Sequence, residues 1–83
     1  MTQVIAHATN QVINLSSLAT GARGTVCAIH GGQALISRLT ALGFTIGAEV
    51  TVLQNYGHGP LIAMVRGTRV ALGRGEASHI YIS

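Results

Sequence analysis

The chain has 83 residues, of which 48% are hydrophobic and only 8% charged, and its formal charge of +3 comes from five arginines set against two glutamates. A chain of this length suits one domain burying roughly 60 per cent of its unfolded surface, and a charged fraction far below the ~25 per cent of ordinary soluble domains leaves neutral and apolar groups facing outward. The composition argues against a carboxylate-rich hard-cation site. It also argues against a lysine-dependent phosphate loop and a dense basic stripe for nucleic acid: there is no lysine or aspartate, and Arg23, Arg38, Arg66, Arg69 and Arg74 are dispersed.

Residues 1–11 carry no distinctive pattern and are expected to form a tail or an added edge strand, with residues 12–83 as a single domain. Leu15 to Leu18 predicts one helical turn. Gly21 and Gly24 bracket a turn into a strand over Thr25 to Ile29, which His30-Gly31-Gly32 stops. Leu35, Leu39 and Leu42 recur at i, i+4 and i+7 and define the core face of a helix from about Gln33 to Leu42. Gly43 follows at C′, where the backbone turns left-handed. Phe44 stands at C″, placed to contact Leu39 and lock the helix end. Thr45 to Ala48 reads as a type II turn with Gly47 supplying the positive φ.

A strand over Glu49 to Gln54 comes next, with Val50 inward and Glu49 outward, and then a loop through Tyr56 and Pro60. Leu61 to Val65 and Thr68 to Leu72 form a hairpin. A type I′ turn would ask positive φ of Arg66, which resists it, so a turn ending in a glycine bulge at Gly67 is expected. Gly73-Arg74-Gly75 reads as a flexible joint before a helical turn over Arg74 to Ser78, and His79 to Ile82 is the last strand. Five short strands, one helix and many glycines predict a small, mainly β barrel. Closure of that cylinder would remove the open edges that so apolar a chain could ill expose.

Reactive groups are few. Cys27 and His30 are three apart on or near a strand and so point to opposite faces. Cys27 is read as a small buried hydrophobe. A single cysteine can form no internal disulfide. Glu76 and His79 could share a face of the last helical turn, but two ligands do not make a structural zinc site. His7 and His58 read as solvent-exposed polar residues. No metal site and no cofactor is expected. Catalysis is not expected either, since no nucleophile has an oriented base and a third group. Phe44, Tyr56 and Tyr81 are too few to form a stacking platform for single strands, so no nucleic-acid partner is expected. No signal-peptide pattern and no apolar run of membrane-spanning length occurs, which predicts a cytoplasmic protein peripheral to a membrane only through a partner.

An outer face offered to another molecule is the remaining class of site. Ile36 lies about 100° around the helix from Leu35, and Arg38 about 60° to the other side. On Leu61 to Val65 one alternate set, Leu61/Ala63/Val65 or Ile62/Met64/Arg66, must face away from the core; Ile62 and Met64 would then form an exposed apolar pair beside Arg66. Ile36, Arg38, Tyr56, Met64 and Arg66 are the candidate contacts, while Leu39, Leu42, Gly43, Phe44, Gly47 and Gly67 are structural. A homo-oligomer is also open to so weakly charged a surface.

The ordered set Leu15-Ser16-Ser17-Leu18, Gly21-Ala22-Arg23-Gly24, Ile29-His30-Gly31-Gly32, Arg38-Leu39, Leu42-Gly43-Phe44, Gly47, Gly59-Pro60, Gly67-Thr68-Arg69-Val70-Ala71-Leu72, Ala77 and Ile80 resembles the FeoA family of small ferrous iron transport accessory proteins. Two positions depart from the family's pattern. Ile46 stands where proline is frequent, and Gly73 where many members carry arginine. The resemblance implies an SH3-like barrel with the helix inserted after the first long strand. It names the partner as FeoB, the GTP-hydrolysing ferrous iron transporter of the bacterial inner membrane, contacted on its cytoplasmic part. It leaves two alternatives: an SH3-like domain acting with a metal-dependent transcriptional repressor, and a direct iron(II) or zinc carrier.

Overall fold

A computed structural model describes residues 12–83, and the expectation for residues 1–11 lies outside them. In chain order the elements are β1 (Ile13–Asn14), a 3-10 turn (Leu15–Ser17), β2 (Arg23–Ile29), α1 (Gln33–Ala41), β3 (Glu49–Gln54), β4 (Leu61–Val65), β5 (Thr68–Leu72), α2 (Arg74–Ala77) and β6 (Ile80–Ile82). All pairings are antiparallel, in the order β1-β6-β2-β3-β4-β5. The chain is therefore mainly β, with its helix inserted after the first long strand as expected.

β2 bends to serve both halves of the sheet. Arg23 to Thr25 pair with β3, and Val26 to Ile29 pair with β6. Gly24 stands at that corner. A Cβ there would lie 2.3 Å from Cγ2 of Ile82 and 3.0 Å from the Ser83 carbonyl oxygen, a close approach that only glycine allows. Gly24→Ala is expected to cost about 1–3 kcal/mol by overpacking against a buried isoleucine. A urea midpoint equal to that of the wild type would show that β2 and β6 can part without penalty.

Alternation fills the core side. Val50 and Val52 of β3, Leu61, Ala63 and Val65 of β4, Val70 and Leu72 of β5, and Ile80 and Ile82 of β6 are buried, and Leu15, Leu39, Phe44 and Ala77 join them. The helix end is built as its sequence asks. Gly43 adopts φ 110°. The Gly43 amide donates to the Thr40 carbonyl (3.0 Å) and the Phe44 amide to the Leu39 carbonyl (3.0 Å). These are the two bonds of a Schellman motif. The Thr45 to Ala48 turn closes with a 2.9 Å bond, and Gly47 is at φ 91°.

Four expectations are corrected. Leu42 does not enter the core and is 38% exposed: it caps the helix, and the reversal at Gly43 sends fully buried Phe44 inward instead. Cys27 is half-buried rather than buried, because it is the extra residue where the β2–β6 register shifts between Val26 and Ala28. The β4–β5 turn is a two-residue type I′ turn without a bulge: Val65 pairs directly with Thr68, while Arg66 (φ 50°) and Gly67 (φ 76°) both take positive φ. Among the described residues the sheet has six strands, not five, and does not close. Its outer strands β1 and β5 do not pair with each other among the described residues.

Candidate functional site

The side of the sheet turned away from the core carries the candidate surface. Burial alternates along β4, so Leu61, Ala63 and Val65 face the core while Ile62 and Met64 are half-buried on the outside. Register then fixes their neighbours. Arg23 opposes Thr51, Thr51 opposes Met64, and Met64 opposes Arg69, giving one row across four strands. In the next row Ile62 lies between Gln54 and the exposed Ala71. An apolar stripe therefore runs between arginines on an open face.

The arginines divide by what they touch. Arg38 on α1 pairs with Glu76 on α2, and Glu76 also accepts from the Gly73 amide at 3.1 Å. Arg23 stands 3.8 Å from Glu49, with both side chains about two-thirds exposed, an arrangement worth little in water. Arg66 donates from Nη2 to Thr45 Oγ1 at 2.6 Å. That bond ties the β4–β5 turn to the turn after α1 and helps hold Arg66 in a left-handed conformation that side chains other than glycine's resist.

Arg74 is no flexible joint. Its guanidinium donates to the carbonyl oxygens of Gly59 (3.2 Å) and Ser16 (2.8 Å) and to Asn55 Oδ1 (2.9 Å). Arg69 alone among the five arginines has no side-chain hydrogen bond or ion pair among the described residues.

The five predicted contacts do not form one compact patch. Ile36 is half-buried and Arg38 exposed on α1. Tyr56, 69% exposed, lies in the loop before β4, and Arg66 lies in the turn after it. The strand between them spans roughly 13 Å. Met64 sits along that line. Sequence reasoning missed three residues of this surface and its supports. One is Arg69, whose place beside Met64 follows once the two-residue turn fixes register. Another is Ile46, 65% exposed on the turn after α1. The third is Asn55, whose contacts are distant in sequence.

The metal-ligating types stay apart. Among the described residues no three of His, Cys, Asp and Glu gather. The His30 ring instead lies against Tyr81, with centroids 4.8 Å apart, and Cys27 Sγ faces the Tyr81 carbonyl at 3.4 Å. No pocket opens among these residues, and no helix among them is long and apolar enough to cross a membrane.

A FeoA domain model matches residues 13–83. The chain belongs to the FeoA family. Its fold is similar to a crystal structure of the iron uptake regulatory protein FeoA, with a TM-score of 0.83 and 36% identity, covering 87% of this chain and 96% of that one. It is also similar to Stenotrophomonas maltophilia FeoA complexed with zinc, described as a procaryotic SH3 domain protein, with a TM-score of 0.76 and 32% identity over 86% of this chain and 89% of that one. A protein named for Fe(2+) transport, protein A of Methanocaldococcus jannaschii, is 35% identical over 54 residues, which is 65% of this chain and 65% of that relative's length. The expected FeoA membership and SH3-like architecture are thus both found, and the family is tied to ferrous iron transport. Within this FeoA fold, β2, β3, β4 and β5 supply the row of outward residues, while α1 and α2 supply the Arg38–Glu76 pair.

Proposed function

We propose that this FeoA protein is a cytoplasmic, non-enzymatic accessory of ferrous iron uptake that binds the cytoplasmic part of the transporter FeoB and tunes its GTPase cycle. The supporting observation is the balance of charge and apolar surface. Both glutamates of the chain are engaged by Arg38 and Arg23, so the remaining arginine charge has no acidic counterpart within the protein. Exposed Ile46 and Tyr56 and half-buried Met64 add apolar anchors. An apolar stripe flanked by unbalanced positive charge suits an acidic protein surface. A partner reaching both Tyr56 and Arg66 would lie along β4 and cross Met64. One extending over α1 would also meet Ile36 and Arg38.

Calorimetry with the purified cytoplasmic region of FeoB tests the reading, with GTP hydrolysis followed in parallel. The wild type is expected to bind and to change the hydrolysis rate. Arg38→Glu is expected to weaken binding about tenfold by setting like charges across the contact. Glu76→Gln breaks the same exposed pair without reversing Arg38 and should bind as the wild type does. Absence of binding by the folded wild type would overturn the reading. Equal binding by Arg38→Glu would remove the helix margin from the interface.

A further inference from the structure

β5 is an outer strand of the sheet, and its register shows which of its backbone groups find no partner among the described residues. The two-residue turn makes Val65 and Thr68 a hydrogen-bonded pair. Alternation in an antiparallel ladder then makes Ala63–Val70 and Leu61–Leu72 hydrogen-bonded pairs, and Met64–Arg69 and Ile62–Ala71 non-hydrogen-bonded ones. In a non-hydrogen-bonded pair the N–H and C=O of each residue point away from the partner strand. On β4 those of Met64 and Ile62 turn to β3. On β5 those of Arg69 and Ala71 turn outward, and no backbone or side-chain group among the described residues meets them. The same two residues are exposed.

Natural sheets blunt such an edge with lysine, proline, a bulge or a covering loop. β5 reads Thr-Arg-Val-Ala-Leu and carries only Arg69.

We propose that the free edge of β5 receives one extended segment of a partner protein as an added strand, with a carboxylate of that segment set against Arg69 and an apolar side chain over Ala71 and Ile62. The main-chain groups of Arg69 and Ala71 supply the ladder, and the outward side chains supply the choice of sequence. Charge selects the occupant. The chain has two side-chain carboxylates, Glu49 and Glu76, and each already faces an arginine. A second copy thus has little acidic surface to set against Arg69, whereas an acidic segment of a partner carries it. The proposal rests on the partner-binding reading above and locates its contact beside Met64, which lies directly across from Arg69.

The test uses isotope-labelled protein and two blocked seven-residue peptides, Thr-Val-Thr-Glu-Thr-Val-Thr and the same with lysine for glutamate, in which the valines and the charged residue lie two apart and share one face of the strand. The glutamate peptide is expected to shift the amide signals of Arg69 and Ala71 and to slow their exchange with solvent, with the lysine peptide binding more weakly. Arg69→Glu should reverse that preference, weakening the glutamate peptide about fivefold. Ala71→Pro removes one outward donor at a place where an edge strand tolerates proline and should weaken it about tenfold. Shifts confined to α1, variants that bind like the wild type, or the same edge signals shifting with protein concentration alone would each overturn the proposal, the last by assigning the edge to a second copy. The FeoB cytoplasmic region is titrated against the same variants. If the wild type binds it and Ala71→Pro binds it equally, the edge is not the contact and the partner reading stands. If the peptide binds the edge while the FeoB region does not bind at all, the edge stands and the choice of FeoB falls.

Discussion

Phe44→Ala is expected to remove about 3–5 kcal/mol of stability, the range for truncating a large buried aromatic. A domain of this length holds about 4–12 kcal/mol in total, so the variant would sit near the threshold of unfolding. Phe44 is fully buried, and its amide also completes the helix stop by donating to Leu39. The substitution leaves that amide in place and empties the volume beneath it. Two residues earlier stands Leu42, which belongs to the Leu35, Leu39 and Leu42 repeat but is 38% exposed. Leu42→Ala should cost only about 1–2 kcal/mol, because more than a third of its surface stays in water on folding. Chemical denaturation of both variants, followed by circular dichroism, checks the contrast. Equal losses would mean that the reversal at Gly43 does not decide which of the two side chains enters the core.

That contrast also shows how far the sequence could be read. Element positions were legible because each rests on local physics. Gly43 and Gly47 require positive φ, the leucines repeat at helical spacing, and Leu61 to Val65 alternates. The side chains that join elements were not legible, because their partners are remote. Arg38 meets Glu76, 38 positions on, and Arg66 reaches 21 positions back to Thr45. Local propensity alone argued against Arg66 at positive φ, and a tertiary bond reverses the outcome. Alternation groups Met64 with Ile62 on one face of β4, and burial of Leu61, Ala63 and Val65 makes that face the outer one. Arg69, the neighbour of Met64, needed the turn type, since a one-residue change in the loop would have faced a different residue toward Met64. Closure of the sheet could not be read from strand count, because it depends on whether β1 and β5 meet.

The same remoteness hid the contact set with the second-largest expected effect. Arg74 and Asn55 join four segments. Asn55 Nδ2 donates to the carbonyls of Ser16 (3.1 Å) and Leu18 (2.6 Å), and its own amide donates to Thr20 Oγ1 at 2.9 Å. Asn55 Oδ1 accepts from Arg74 and from the Gly57 amide at 3.1 Å. The 3-10 turn, the loop after it, the β3–β4 loop and α2 therefore share one polar anchor that no apolar pattern records. Arg74→Met keeps much of the side-chain stem and removes three charge-assisted donations, at an expected cost of about 1.5–3 kcal/mol. Asn55→Ala leaves the Ser16 and Leu18 carbonyls without that donor and should cost a similar amount. Because the two side chains bond each other and share the Ser16 carbonyl, their losses should not add. The double variant is expected to fall short of the sum by at least about 0.5 kcal/mol. A double-mutant cycle on urea midpoints measures this. Additive losses would show that the two side chains stabilise the loop and the helix separately, and that α2 is held by Arg38 and Glu76 without help from the β3–β4 loop.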